Sequence, residues 1–247
     1  MYSWLSSKEK KDDKPCIPTP DEMNSIINEH PTMVELITHP HRTLIIGRSR
    51  SGKTTLAVSF LASGYIDKFE VVYWFCSTID DQDTYDCLRE YIHEDMVWKD
   101  LNDAALQEML DFHNEAERPK ALMVIDDQSA QTSLNKGNKG IFAMIVTTAP
   151  WLNLSIMCLS HKVTSVSPVF RDNAEHVILL YLGNNAQKKR AVEEFNYFKH
   201  KNVFLDLYSE FVEKVEHGCI HIDTRPPMSI YPGCRIPQEF PNATDES

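Results

Sequence analysis

Residues 42–55 have the sequence Arg-Thr-Leu-Ile-Ile-Gly-Arg-Ser-Arg-Ser-Gly-Lys-Thr-Thr. The part from Gly47 to Thr54 matches the P-loop pattern G-x-x-x-x-G-K-S/T at every fixed position. Apolar residues precede it, which predicts a buried strand, and Ala57, Phe60 and Leu61 follow at helical spacing. The motif therefore lies between a predicted strand and a predicted helix, which is the usual context of a P-loop.

The residue types of this motif suit the binding of nucleotide phosphates. Gly47 and Gly52 let the backbone bend so that its N–H groups point at phosphate. Lys53 would reach the β- and γ-phosphates, and the Thr54 hydroxyl would ligate Mg²⁺. For the arginines inside the loop, contact with phosphate and simple solvation are both open. The predicted nucleotide-binding residues are Gly47, Arg48, Ser49, Arg50, Ser51, Gly52, Lys53, Thr54 and Thr55.

An acidic pair follows a second apolar run. Residues 122–127 have the sequence Leu-Met-Val-Ile-Asp-Asp, which is the form of a Walker B strand. Asp126 would hold Mg²⁺ directly or through water, and Asp127 would position or deprotonate the attacking water. The alternative is that the two acids only cap the next segment.

Two further segments carry candidates for contact with the γ-phosphate. Ser160 or His161, at the end of a predicted strand, would sense the γ-phosphate, and the alternative for His161 is an ordinary loop histidine. Arg171 lies in Pro168–Asn173 and would reach the γ-phosphate across a subunit interface as an arginine finger. The alternative for Arg171 is a salt bridge with a nearby acid such as Asp172.

Buried-strand patterns alternate with helical patterns, which predicts a mainly parallel sheet with its ligands at the carboxyl ends of the strands. The fold class is α/β: a P-loop NTPase of the additional-strand (ASCE, RecA-like) type, with its central sheet flanked by helices. A helix at 103–116 would bury Leu106, Met109, Leu110 and Phe112. A C-terminal β-hairpin is predicted at 211–222, and the polar loop 128–140 is the predicted moving part. The predicted segments are a mobile N-terminal arm (1–20), an ATPase domain (21–224) and an extended C-terminal tail (225–247).

Composition excludes several classes of protein. The net charge of −11 argues against a nucleic-acid binder that uses its whole surface, although a narrow basic channel remains compatible with it. No apolar run approaches the roughly 18 residues that a membrane span needs. The six cysteines are scattered without a C-x-x-C pair, so we expect a reducing, intracellular setting with no zinc site and no disulfide framework.

Together the motifs resemble the FtsK–HerA superfamily, and most closely the poxvirus-type DNA packaging ATPases of large DNA viruses and virophages. The resemblance lies in residues 43–55, in 123–127, and in 153–161 followed by 168–173. It implies ATP binding by the P-loop, metal binding by Asp126, the catalytic acid position for Asp127 and a finger role for Arg171. Two positions depart from the usual pattern: His161 replaces a glutamine sensor, and Asp127 replaces the glutamate of many relatives.

Members of that family form hexameric or pentameric rings that push double-stranded DNA into a preformed capsid. The resemblance thus implies an ATPase with ATP and Mg²⁺ as cofactors. Its partners would be double-stranded DNA, capsid or portal-vertex proteins and further copies of the chain. Its location would be the virion and the assembly sites in the host-cell cytoplasm. Two alternatives stay open: a small-molecule or nucleoside kinase, and a nucleotide-dependent assembly switch. A kinase would show no effect of DNA on turnover, and a switch would show little turnover.

Overall fold

The computed structural model describes residues 31–80, 83–126, 128, 140–195 and 201–234. The strands in this part of the chain form one sheet of eight. In chain order they are β1 (Arg42–Ile46), β2 (Val71–Cys76), β3 (Val97–Trp98), β4 (Ala121–Asp126), β5 (Leu154–Ser160), β6 (His176–Leu179), β7 (Ile220–Asp223) and β8 (Ser229–Pro232). Across the sheet the order is β3-β2-β4-β5-β1-β6-β7-β8.

The strand order confirms the predicted fold class. The six strands from β3 to β6 run parallel, whereas β7 and β8 are antiparallel to their neighbours. The strand that carries the Walker B pattern, β4, is separated from the P-loop strand β1 by β5. This inserted strand is the feature that defines the additional-strand class of P-loop NTPase folds, and the sheet is mainly parallel as predicted.

Helices pack on both faces of this sheet, which is why its strands are apolar at successive positions. In β1, Leu44 and Ile46 belong to one buried cluster and Ile45 belongs to the other. The helices are α1 (Met33–Leu36), α2 (Lys53–Phe60), α3 (Asp103–Glu115), α4 (Ile141–Thr148), α5 (Pro168–Asn173), α6 (Asn185–Phe195) and α7 (Lys201–Tyr208). A 3₁₀ segment, Asp83–Tyr91, lies between β2 and β3. Among the described residues no helix is long and apolar enough to cross a membrane.

Local sequence explains where two of these helices begin. The Asn102 side chain accepts a hydrogen bond from the backbone N–H of Ala105 and so caps α3. The Ser167 side chain accepts one from the N–H of Phe170, and Pro168 occupies the first helical position of α5. Both helices therefore start where a capping residue satisfies an otherwise unpaired backbone donor.

The predicted buried face of α3 is wrong at one position. The Phe112 side chain is 41% exposed, whereas His113 is fully buried. His113 can be buried because both ring nitrogens are paired: Nε2 lies 2.6 Å from the carbonyl oxygen of Leu152, and Nδ1 lies 2.9 Å from the hydroxyl of Tyr73. An apolar periodicity cannot reveal a polar residue that finds both partners in the core.

The predicted hairpin at 211–222 is also wrong in position. Phe211 lies in a π-helical turn that continues α7, and Tyr208 and Phe211 are buried on the same side as Phe204. The hairpin is instead formed by β7 and β8, so the sheet continues into the range that the sequence analysis assigned to an extended tail. Residues 204, 208 and 211 have helical spacing, and a window that begins at residue 211 does not include the first two of them.

Cys219 and Cys234 form a disulfide, so the expectation of a chain without one is wrong. The pairing of β7 with β8 brings the two residues together, and the N–H of Gly233 donates to the carbonyl oxygen of Cys219 at 2.8 Å. A separation of 15 residues matches no cysteine motif, which is why spacing alone did not predict the pair. Cys76 and Cys158 are free and buried.

The turn before β7 depends on a glycine. The N–H of Gly218 donates to the carbonyl oxygen of Val215, and a Cβ at position 218 would lie 2.0 Å from the carbonyl oxygen of Phe211. We expect Gly218→Ala to lower the free energy of unfolding by about 3 kcal/mol, because the backbone must shift. Urea unfolding measures this, with Val215→Ala, an exposed change in the same turn, as the control. Equal stability of the two variants would contradict the prediction.

Candidate nucleotide-binding site

The predicted site residues meet at the carboxyl edge of the parallel strands. Ile46 at the end of β1 pairs in register with Ser160 at the end of β5 and with Leu179 at the end of β6. Asp126 ends β4 opposite Cys76, the last residue of β2. Ligands of open parallel sheets bind at this edge, so the topology brings the P-loop, the Walker B acid and the predicted sensor together.

Backbone hydrogen bonds to both neighbouring strands hold the P-loop. The N–H of Gly47 donates to the carbonyl oxygen of Ser160 at 3.1 Å, and the N–H of Arg48 donates to that of Tyr181 at 2.8 Å. Inside the loop, the N–H of Ser51 donates to the carbonyl oxygen of Arg48. These hydrogen bonds fix the start of the loop to the two strands and close the turn that follows it.

Both glycines of the loop are required, Gly47 by lack of space and Gly52 by its backbone conformation. A Cβ at Gly47 would lie 2.4 Å from Ser51 Oγ, and Gly52 has φ of 90°, a left-handed conformation that favours glycine. Ser51 Oγ itself is buried and has no hydrogen-bond partner among the described residues. A buried hydroxyl that is left unpaired inside a glycine-shaped cradle fits a phosphate oxygen as the absent partner. Arg48, Ser49, Arg50 and Thr55 are exposed around this cradle.

Lys53 and His161 are in contact with each other. Lys53 is 6% exposed, and its Nζ donates to the carbonyl oxygen of Arg48 at 3.0 Å. The same Nζ lies 3.1 Å from His161 Nδ1. Because an ammonium group can only donate, His161 accepts through Nδ1 in this contact. The residue in the sensor position is thus next to the lysine that would bind the β- and γ-phosphates.

Thr54 and Asp126, the two predicted metal ligands, are in direct contact. Thr54 Oγ1 donates to Asp126 Oδ2 at 2.8 Å, and Asp126 is 4% exposed. A hydroxyl and a carboxylate are hard oxygen ligands of the kind that Mg²⁺ prefers. The donor set therefore fits Mg²⁺ bound together with a nucleotide, which Thr54 and Asp126 would hold.

Tyr85, which the sequence analysis did not single out, also contacts Asp126. Its hydroxyl donates to Asp126 Oδ2 at 2.7 Å, and the side chain is 1% exposed. Burial, with a contribution from the Asp126 charge, raises the pKa of Tyr85 far above its usual value, so the hydroxyl stays protonated. Tyr85 lies in the acidic 3₁₀ segment, where no local pattern distinguishes it from a core aromatic residue.

Two more residues border the P-loop without having been predicted. The Arg48 guanidinium stacks on the ring of Tyr181 at 4.6 Å from the centroid. The exposed His217 lies on the other side, with Nδ1 3.6 Å from the point where a Cβ of Gly52 would be. Tyr181 lies two residues after Leu179, the end of β6 at the carboxyl edge, and that position was the available signal. No sequence pattern indicates His217, because its turn comes close to the P-loop only in the folded chain.

Arg171 is not in contact with these residues. Its Nε donates to Glu194 Oε1 at 2.6 Å, and its side chain is 8% exposed. Its partner is thus an acid of α6 and not the neighbouring Asp172. The finger role remains a prediction, and it requires Arg171 to leave Glu194.

The second acid of the Walker B pair, Asp127, lies outside the described residues, as does most of the loop 128–140. Gln128, the residue after Asp127, is 1% exposed, and its side-chain amide makes two hydrogen bonds. Its Oε1 accepts from the N–H of Leu101, and its Nε2 donates to the carbonyl oxygen of Lys99. The predicted arm (1–20) also lies outside the described residues.

The sheet order and the P-loop define the chain as having a P-loop NTPase fold. Solved structures share it. Genome packaging NTPase B204 from Sulfolobus turreted icosahedral virus 2, in complex with AMP, superposes with a TM-score of 0.63 at 10% identity, over 81% of this chain and 100% of that one. B204, the DNA-packaging ATPase from Sulfolobus turreted icosahedral virus, gives 0.63 at 13% identity over the same shares.

A third similar structure is EssC (ATPases 2 and 3) from Geobacillus thermodenitrificans, with a TM-score of 0.51 at 12% identity. The match covers 81% of this chain and 40% of the EssC chain. No protein-family model matches the chain, and a search of curated protein sequences finds no significant match. At these identities the similarity establishes the fold, and it agrees with the resemblance that the motifs predicted.

Proposed function

We propose that this chain is an ATPase that drives viral double-stranded DNA into a preformed capsid. The observation that carries the proposal is the convergence of Lys53 with His161 and of Thr54 with Asp126 at one edge of the sheet. The fold is also that of a protein described as a genome packaging NTPase, and the similarity covers the entire length of that protein. The setting we propose is the virion and the assembly sites in the host-cell cytoplasm.

The side chains of the site fit in-line attack of water on the γ-phosphate of ATP. Lys53 would move from the carbonyl oxygen of Arg48 to the β- and γ-phosphates. Mg²⁺, when bound, would neutralise charge on these phosphates, and Thr54 with Asp126 would hold it. Asp127 would orient and deprotonate the water. His161 contacts Lys53 and would therefore respond to whether a γ-phosphate is present.

Packaging also requires several copies of the chain and a path for DNA. We propose a pentameric or hexameric ring in which Arg171 of one copy reaches the nucleotide of the next. Capsid or portal-vertex proteins would hold this ring in place. Loss of the γ-phosphate contacts would move the loop 128–140 and so move DNA. Basic residues would line the pore, which reconciles DNA binding with the net charge of −11.

ATP hydrolysis with and without long double-stranded DNA tests the proposal. We expect DNA to raise turnover several-fold in the wild type and to have no effect on Asp127→Asn, which is expected to be inactive. Turnover that ignores DNA and needs a small-molecule acceptor would support a kinase and overturn the proposal. Nucleotide binding with almost no turnover would support an assembly switch.

The ring is tested in the same assay through Arg171 and its partner. Arg171→Ala is expected to be inactive, and mixing it with Asp127→Asn should restore part of the activity, because each copy supplies what the other lacks. Glu194→Gln distinguishes an arginine finger from a structural arginine. If Arg171 acts as a finger, this variant should keep its ATP turnover, because Arg171 is still present and is released from its ion pair. Equal loss of stability in Arg171→Ala and Glu194→Gln, without rescue by mixing, would show that the pair is structural.

A further inference from the structure

Asp126 accepts two hydrogen bonds on one carboxylate oxygen. Thr54 Oγ1 and the Tyr85 hydroxyl both donate to Oδ2, at 2.8 and 2.7 Å. The Thr54 bond belongs to the P-loop site already described. The Tyr85 bond comes from a different part of the chain, the 3₁₀ segment that follows β2, and the nucleotide-binding motifs do not account for it.

The surroundings of Tyr85 hold it rigidly. Its ring packs edge-on against Trp74, with centroids 5.8 Å apart, and the side chain is 1% exposed. The thiol of Cys76, which lies opposite Asp126 in the sheet, donates to the Tyr85 hydroxyl at 3.9 Å. With that oxygen accepting from the thiol, its own hydrogen is directed to Asp126. Packing and hydrogen bonding therefore fix both the ring and the direction of the O–H bond.

We propose that Tyr85 is a positioning residue of the metal site, which holds the Asp126 carboxylate in the rotamer that supports Mg²⁺ bound with nucleotide. The inference rests on the proposed function, since it concerns the metal that ATP would bring. Residues that orient a metal ligand in this way typically contribute about 10- to 100-fold to metal affinity.

The chain offers a matched control. Tyr65 is also a fully buried tyrosine, and its hydroxyl has no hydrogen-bond partner among the described residues. Tyr65→Phe and Tyr85→Phe each remove one buried oxygen and keep the ring. Only Tyr85→Phe removes a donor to Asp126, so a difference between the two variants reports the positioning role.

Binding of Mn²⁺, which can replace Mg²⁺, is measured by EPR in the presence of the non-hydrolysable analogue AMPPCP. We expect Tyr85→Phe to weaken Mn²⁺ binding about tenfold relative to the wild type and to Tyr65→Phe. The affinity for AMPPCP in EDTA should be unchanged. Melting temperatures within a few degrees of each other show that both variants fold.

The experiment distinguishes a failure of this inference from a failure of the proposed function. A wild type that binds Mn²⁺ with AMPPCP normally, together with a Tyr85→Phe variant that binds as tightly, would overturn the inference and leave the proposed function standing. A Tyr65→Phe variant that loses as much affinity as Tyr85→Phe would also overturn it. A wild type that binds no metal with AMPPCP would overturn the proposed function, and this inference with it.

Discussion

Replacing Lys53 by alanine is expected to lower ATP turnover at least about a hundredfold, because removal of one positioned donor to developing charge typically has an effect of this size. The Lys53 ammonium lies at the start of α2, 3.1 Å from His161 and beside the glycine-shaped cradle of the P-loop. Steady-state phosphate release with saturating ATP and Mg²⁺ measures the loss.

Two variants control this experiment. Lys53→Met keeps the apolar stem of the buried side chain and removes only the charge, so it should be as inactive as Lys53→Ala. Lys99→Ala removes an exposed lysine that pairs with Asp80, and it should retain wild-type turnover. If Lys53→Met keeps more than a tenth of the wild-type rate, Lys53 does not perform the predicted chemistry.

The part of the site that could be predicted from sequence is the part whose chemistry is local. Gly47, Lys53 and Thr54 lie within one short loop, and their spacing is imposed by the phosphates that the loop would bind. Asp126 was predictable because it ends a run of apolar residues long enough to be a buried strand. The parallel arrangement then followed from the alternation of strands with helices, and it brings Asp126 to Thr54.

The parts that were missed depend on contacts between distant residues. Tyr85 and Asp126 are 41 positions apart, and nothing near Tyr85 distinguishes its hydroxyl from that of another buried tyrosine. The hairpin of β7 and β8 was misplaced because the preceding apolar residues belong to a helix whose start lies well upstream of Phe211. His113 was missed on α3 because its two partners come from β2 and from the turn before β5.

The sequence patterns also did not predict a set of buried histidines on the opposite side of the sheet from the site, near the amino-terminal ends of β1 and β6. His41, His176 and His221 are each at most 2% exposed. His176 Nδ1 lies 3.1 Å from His221 Nε2, and the ring centroids of His41 and His176 are 6.4 Å apart. The neighbouring charged groups include Arg42, next to His41, and Asp223 and Arg225, which form an ion pair with each other.

Burial keeps these imidazoles neutral in the folded chain. Burial, opposed in part by Asp223, lowers the pKa of His176 to about 4. Burial, reinforced by the adjacent His176, lowers the pKa of His221 to about 3. Burial likewise lowers the pKa of His41. In the unfolded chain the pKa of a histidine is near 6.5, so the unfolded state binds more protons than the folded state between these values.

The free energy of unfolding is therefore expected to decrease as the pH falls below about 6.5, and to continue decreasing toward the folded-state pKa values. Each such histidine contributes a slope of about 1.4 kcal/mol per pH unit to the free energy of unfolding. His176 and His221 together therefore contribute at most about 2.7 kcal/mol per pH unit. Urea unfolding at several pH values between 7 and 5 measures this slope. His221→Gln, which keeps a hydrogen-bonding group but cannot titrate, should reduce the slope, whereas the exposed His217→Gln should not. Equal slopes for these two variants would mean that the buried pair takes up its protons without unfolding the chain.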